Sequence, residues 1–414
     1  MDEFDPNTVN THYMQNVVDL SKSHDIVAAE DIYDARGTKL VAKGTRVSEN
    51  LKERLIRFKL EKPLESSLNV EGGANSQMLI EEAQIVLDEV APLSMLLKSG
   101  ATKKSVLSTL KEVRFDRFNT LLLSMEKGGT GFRHAVLAAL TSVTLGMRLN
   151  LDTTALHHLA LAGLLHDAGE LYINPEYRNP SRQLTPEEWK HIAAHPRIGQ
   201  LVTEATQGIP RAVSIAIGEH HERPNGFGYP RQLTVENISK LGRILLMAEL
   251  LCGIFPKNDQ PMERSCLAIK VIPGEYPHDI VSLITSSAEA APASFVDEEK
   301  QRELMECARR IEPRMNAALA HIETAPPGNE NSALMKMVRE RLLMLKRAMY
   351  STGLYGCSEL QSQDAEGIAL EVDAVTYEIE WRLRELSRQI TLNLASLAKE
   401  EQREYYRTLI ACLT

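Results

Sequence analysis

A chain of 414 residues, 43% hydrophobic and 25% charged, has the balance of a folded protein of two or three domains and excludes a disordered or fibrous one. Aromatics make up only 5% while Leu, Ala, Glu and Arg abound, which predicts a mainly α protein with aliphatic cores and excludes an all-β architecture. The net charge of −9, from 47 basic and 56 acidic residues without a long Lys/Arg tract, argues against duplex nucleic acid as a partner.

Five cysteines (Cys252, Cys266, Cys307, Cys357, Cys412) lie scattered without CxxC spacing, so neither a disulfide framework nor a thiolate zinc site is expected, and a reducing cytoplasm is the natural compartment. The acidic start MDEFDPNTVN and the lack of any apolar run of about 18 residues predict neither a signal peptide nor a membrane span.

In chain order, Ile26 to Tyr33 and Lys39 to Val47 read as two short strands joined by the turn Asp34-Ala35-Arg36-Gly37. Ser48 reads as the N-cap of a helix with Leu51, Leu55, Phe58 and Leu60 on one face, which makes residues 1–70 a small α+β module. Glu71 to Ser76 has linker composition, and helical patterns then run to Lys127, so 71–128 is expected to be a helical connector. Gly128, Gly129 and Gly131 break the chain ahead of a histidine-rich region, 129–290, which ends at the Ala-, Ser- and Pro-containing stretch Ser286 to Ser294. Residues 291–414 are again helical. There Val372, Val375, Ile379, Leu383, Leu386, Ile390, Leu394 and Leu397 recur at spacings of three and four, as the stripe of a bundle helix or, alternatively, of a homodimer seam.

Half of the twelve histidines fall between His134 and His195, and His220 and His221 are adjacent. His166-Asp167 closes the apolar segment Leu156 to Leu165, which sets an imidazole beside a carboxylate at the end of a core helix. Those ligand types suit Fe, Mn or Zn, and a carboxylate can bridge two ions. Thr185-Pro186-Glu187-Glu188 starts a helix with a capping box. Trp189, Ile192 and His195 then share one face, with His191 one turn earlier as a less favoured ligand. Val213 to Gly218 runs into Glu219-His220-His221-Glu222 and then into Arg223-Pro224-Asn225-Gly226-Phe227-Gly228-Tyr229-Pro230, a loop whose glycines permit tight turns around an aromatic ring.

Four segments, HDAGELYINPEY, LTPEEWKHIAAHPRIGQ, IGEHHERPNGFGYPRQL and ISKLGRILLMAEL, stand in an order and spacing that resemble the HD-GYP family of HD-domain metal-dependent phosphohydrolases. The resemblance implies an all-α core around two divalent ions, Fe or Mn before Zn or Ni, that hydrolyses cyclic di-GMP to pGpG or GMP in bacterial signalling. Carried across by position, the metal ligands are His134, His166, Asp167, His195, His220, His221 and Glu249, the last standing where the family has Asp. His166 and Asp167 are then the catalytic pair, with Asp167 as the bridge. Gly226, Gly228, Tyr229 and Pro230, with Lys257, are the implied substrate contacts.

The chain departs from the family at Glu170, where members carry a phosphate-contacting lysine, at Thr130, where trinuclear members carry Glu, at Asn225, and in the basic segment after Glu249, of which Lys257 and Arg264 remain. The alternative reading is therefore a non-catalytic HD-GYP module that binds metal or nucleotide and acts through signalling partners. Of His157 and His158, adjacent helical positions about 100° apart, at most one can face the metals, and both are taken as structural.

Overall fold

The computed structural model describes residues 4–70, 75–98, 101–114, 119–127, 131–179, 181–182, 184–256, 261–288, 298–325, 332–351, 365–394, 397 and 399–413. The fold is mainly α, with two small two-stranded sheets, and divides into two compact units: Met1–Asn258 with Tyr276–Ser287, and Asp259–Glu275 with Ala288–Thr414. Among the described residues no helix is long and apolar enough to cross a membrane.

In the first unit, Asn10 starts the Thr11–Ser21 helix by accepting from the amides of His12 and Tyr13. The strand expected from Ile26 to Tyr33 is broken in two. Ile26–Ala28 pairs antiparallel with Leu68–Val70, whereas Ile32–Tyr33 pairs with Lys39–Val41. The local reason is Asp34, whose Oδ1 accepts from the amides of Arg36 and Thr38 and closes the hairpin after two residues. Residues 26–28 keep the local contact with 44–47, through the Val27–Arg46 bridge, and take Leu68–Val70 on their other edge. Ser48 caps Glu49–Leu55 as expected, but Phe58 and Leu60 lie beyond that helix.

The site is carried by the helices that follow. Thr153–Leu165, capped by Asp152, is apolar nearly all round and correspondingly buried. It packs against Phe132–Arg148 at close range because Gly163 has no side chain; a Cβ there would lie 2.5 Å from the Ala139 Cα. Lys240–Ile254 lies against the same pair, and Arg211–Ile217 joins Thr153–Leu165 to His195–Ala205. The capping box of Thr185 and Glu188 forms as the sequence predicts, at the start of Pro186–Ala193.

The second unit is a helical bundle of Pro261–Lys270, Glu298–Glu323, Ala333–Ser351, Ala365–Leu394 and Glu400–Leu413. Val375, Ile379, Leu383, Leu386 and Ile390 of the predicted stripe are buried in its core with Leu342, Leu345 and Leu409, while Leu394 and Leu397 pack at its edge. Val372 lies outside the residues whose side chains are described.

Arg382 crosses this core fully buried, donating from Nε and Nη2 to Glu275 at 2.9 and 2.6 Å and from Nη1 to the Glu378 carboxylate. Removing one partner strands the other charge away from water. Arg382→Ala is therefore expected to destabilise this unit by about 3–5 kcal/mol, with much of the loss recovered when Glu275 is changed to Leu and Arg382 to Met together. Urea denaturation followed through Trp381 in a Trp189→Phe background reads the effect, and an unchanged midpoint for Arg382→Ala would show that the pair contributes nothing.

Candidate metal centre

The histidines and Asp167 come from the ends or first turns of helices, and Glu249 from the interior of one. His134 lies in the first turn of Phe132–Arg148, and His166 and Asp167 follow directly on Thr153–Leu165. His195 opens His195–Ala205, His220 and His221 follow Arg211–Ile217, and Glu249 sits on Lys240–Ile254. Five separate helices thus converge on one point.

Two groups result, and they share one carboxylate. On one side, the Nε2 atoms of His134 and His166 are 3.2 Å apart, and each is 3.2 Å from Glu249 Oε2. Asp167 Oδ2 is 3.6 and 3.2 Å from the same two nitrogens. On the other side, the Nε2 atoms of His195 and His220 are 3.0 Å apart, and Asp167 Oδ1 lies 3.5 and 3.6 Å from them. The His221 ring completes this second group, 4.3 Å from His220 and 5.0 Å from His195 between centroids. All seven residues proposed from the sequence are brought together.

The orientation of the rings tells what the cluster can hold. His166, His195 and His220 each place Nδ1 at 2.6–2.8 Å from the carbonyl oxygen three residues earlier, namely Gly163, Ile192 and Ile217. Nδ1–H donates there, which leaves Nε2 as a lone pair aimed into the cluster. Lone pairs and carboxylate oxygens converging within 3.0–3.6 Å repel one another unless a cation stands between them, so the donor set fits divalent metal on both sides of Asp167.

Burial pulls His166 and His195 down, yet Asp167 and Glu249 hold the first well above the ordinary imidazole value, and Asp167 and Glu170 hold the second above it. The carboxylates therefore favour positive charge at these nitrogens, a proton or a metal ion. Burial pushes the Asp167 carboxyl up, yet the imidazoles of His166, His195 and His220 hold it well below the usual carboxylate range. Glu249 is likewise held low against burial by His134 and His166. Burial, reinforced by His220 and His195, keeps His221 well below the ordinary imidazole value, so it presents a neutral ring.

Beside the second group stands the glycine loop. The Tyr229 ring stacks on His221 at 4.7 Å and 21° and meets Trp189 edge-on at 5.8 Å. Gly226 adopts φ +78°, and a Cβ on Gly228 would lie 2.3 Å from the Arg223 nitrogen, so both glycines are required by the backbone path. Pro230 follows Tyr229 through a cis peptide bond.

Two residues that brace this loop were missed in the sequence. Glu222 accepts from the amides of Arg231 and Leu233 at 2.6 and 2.8 Å, and Glu219 accepts from the amide and hydroxyl of Ser239 at 2.9 and 2.6 Å. Their signal was present as the carboxylates on either side of His220-His221, three residues apart.

Other expected positions resolve differently. Glu170 is half-buried beside the cluster and pairs with Arg178, Nη1 to Oε2 at 3.3 Å. Burial and the neighbouring Asp167 raise its pKa, opposed by His195 and Arg178. The anion that stands in place of the family's lysine is therefore accompanied by a cation eight residues on. Arg264 belongs to the second unit, where it pairs with Asp373. His191 packs on Tyr177 and His157 sits 2.9 Å from Glu112, both outside the cluster. Lys257 and Thr130 lie outside the described residues.

A helical core whose helix ends deliver histidines and a histidine–aspartate pair to one shared carboxylate could hold divalent metal. Residues 118–252 match the family model described as HD domain. The chain is 29% identical over 142 residues to the cyclic di-GMP phosphodiesterase PA4108 of Pseudomonas aeruginosa, covering 34% of each chain. It is 27% identical over 170 residues to the cyclic di-GMP phosphodiesterase PdeB of Borreliella burgdorferi, covering 40% of this chain and 45% of that one. It is also 30% identical over 92 residues to a 3′3′-cGAMP-specific phosphodiesterase of Vibrio cholerae, covering 22% and 20%. The matches span less than half the length of these relatives. The HD-domain match over residues 118–252 and these relatives are consistent with a member of the HD-GYP family.

Proposed function

We propose that this protein is a phosphodiesterase that hydrolyses a cyclic dinucleotide, cyclic di-GMP, to pGpG or GMP through a dinuclear centre, with Fe or Mn the preferred ions and Zn or Ni alternatives. The observation that carries it is the division of one carboxylate, Asp167 Oδ2 toward His134 and His166, which also face Glu249, and Oδ1 toward His195 and His220. When bound, a pair of divalent ions lowers the pKa of a shared water and neutralises the phosphate and the departing 3′ oxygen.

The chain's own contribution is to fix both ends of that arrangement. Three histidines are locked in one tautomer by backbone carbonyls, and Asp167 sets the spacing of the two groups. Gly226, Gly228, Tyr229 and Pro230 line the nucleotide pocket, with Tyr229 held on His221 and Trp189 so that its ring offers a flat apolar wall to a base. Lys257 is the basic group assigned to the phosphates.

In this reading residues 129–290 are the phosphohydrolase domain, 1–70 and 71–128 the module and connector ahead of it, and 291–414 a helical region for homodimerisation or signalling partners. The protein works in a reducing cytoplasm.

One observation favours the second reading, a nucleotide-binding regulatory module without turnover. Glu170 places a carboxylate beside Asp167 and engages Arg178, a pairing that substrate phosphate would have to accommodate. Protein loaded anaerobically with Fe(II) or Mn(II) and offered cyclic di-GMP and 3′3′-cGAMP separates the two. Metal-dependent appearance of linear dinucleotide or mononucleotide is the expected result. Tight binding of either nucleotide without product would establish the regulatory module instead.

A further inference from the structure

The short turn Ala168–Tyr172, which begins at Asp167, is gripped from two directions. On its inner side Gly169 lies against the chain at His195, where a Cβ would come 2.0 Å from the His195 carbonyl oxygen and 2.7 Å from the Gly199 nitrogen. Any shift of this turn therefore moves His195 as well as Asp167.

On its outer side the turn is held by residues from the N-terminal module. Asn10 and Asn16 donate from Nδ2 to the carbonyls of Tyr172 and Leu171 at 3.2 and 3.4 Å. The Tyr172 ring stacks on Tyr13 at 5.1 Å and 6° and takes the edge of Phe4 at 5.5 Å. Its hydroxyl donates to Glu65 Oε1, a carboxyl group only 4% exposed and brought by the short turn Leu64–Ser67. Five side chains from before residue 70 thus converge on two consecutive residues, Leu171 and Tyr172. Covering an apolar surface would not require an acid to be buried there, with no cationic partner among the described residues, at a desolvation penalty.

We propose that Glu65 and Tyr172 are positioning residues for the metal centre: the hydrogen bond between them ties the N-terminal module to the turn that sets Asp167 against His195, and so governs how tightly metal is held. The inference depends on the cluster being a metal site. It gives the N-terminal module a route into the centre made of the chain's own contacts, by which any ligand or partner that displaced the module would loosen the coordination.

The test is the affinity for Mn(II), followed by the EPR signal of free ion, in wild type and in Tyr172→Phe, Glu65→Ala and Glu65→Gln. Tyr172→Phe removes one hydroxyl and keeps the stack, so it retains the fold if Glu65→Ala does not. Tyr172→Phe and Glu65→Ala are expected to weaken Mn(II) binding about ten-fold, the effect of losing an outer support of a ligand, while Glu65→Gln, which can still accept from Tyr172, stays within about two-fold. Lower melting temperatures with unchanged Mn(II) affinity would reduce the contact to packing and overturn the proposal. Failure of wild type itself to bind Mn(II) would overturn the metal reading of the cluster, a result distinct from equal binding by all four proteins.

Discussion

In the proposed dinuclear centre, Asp167→Asn is expected to lower metal-dependent hydrolysis by at least about a thousand-fold, equivalent to ~4 kcal/mol of transition-state stabilisation, and to reduce bound metal from two ions per chain to at most one. The substitution is nearly isosteric, so the helices that end at this point have no packing reason to move. What changes is the chemistry of one atom. Asp167 Oδ1 faces His195 and His220 and Oδ2 faces His134 and His166, so an amide can offer an oxygen to only one group and must aim an N–H₂ at the other.

Glu249→Gln provides the contrast, because its carboxylate touches only the His134 and His166 side. It should impair that group and leave the ion held by His195, His220 and His221. Metal content by inductively coupled plasma mass spectrometry, measured beside turnover on the same preparations, checks both. An Asp167→Asn protein that keeps two ions and works within ten-fold of wild type would dismiss Asp167 as the bridge.

The second large effect concerns pH rather than turnover. Burial raises the Glu65 carboxyl to about 7, against the usual carboxylate range, with the Tyr172 hydroxyl only partly offsetting the penalty. Between about pH 4.5, where the unfolded chain loses this proton, and about 7, where the folded chain does, the native state binds one proton more. Stability attributable to this group is therefore fully present below about pH 4.5 and falls as pH rises to about 7. A shift of that size corresponds to about 3 kcal/mol.

Gln in this position resembles the protonated acid and cannot ionise. The stability of Glu65→Gln relative to wild type should consequently grow by about 3 kcal/mol between pH 4.5 and pH 8, with the change concentrated below pH 7. Urea denaturation of the first unit across this range, followed through Trp189, measures the difference. A gap between the two proteins that stays constant with pH would mean that Glu65 keeps an ordinary carboxylate pKa in the fold.

The two effects meet in the turn Ala168–Tyr172. Asp167 opens it, Glu65 secures its far end through Tyr172, and Gly169 presses it against the chain at His195. A module whose role was not legible in its own residues thus acquires one through a contact more than a hundred positions away.

Sequence alone determined the helical class, the capped start of the helix ahead of His195, and the candidate ligating side chains. These are local properties: the capping box at Thr185 and Glu188, the apolar run into His166-Asp167 and the glycines around Tyr229 are set by neighbours within a few residues. The motif text then placed His134, His195, His220, His221 and Glu249 in one constellation before any distance was known.

Only the tertiary structure decided which oxygen of Asp167 faces which histidines, because that depends on the convergence of five helices and not on the period of any one. The same holds for the pairing of Ile26–Ala28 with Leu68–Val70, a distant strand that adds to the edge left open by the local contact with Thr45–Val47. It holds for Glu170, whose charge is met by Arg178 across a loop, and for Glu65, which stands in an ordinary polar stretch of sequence. Burial gave that carboxyl its unusual proton affinity, and burial is a property of the packed chain that no spacing of residues encodes.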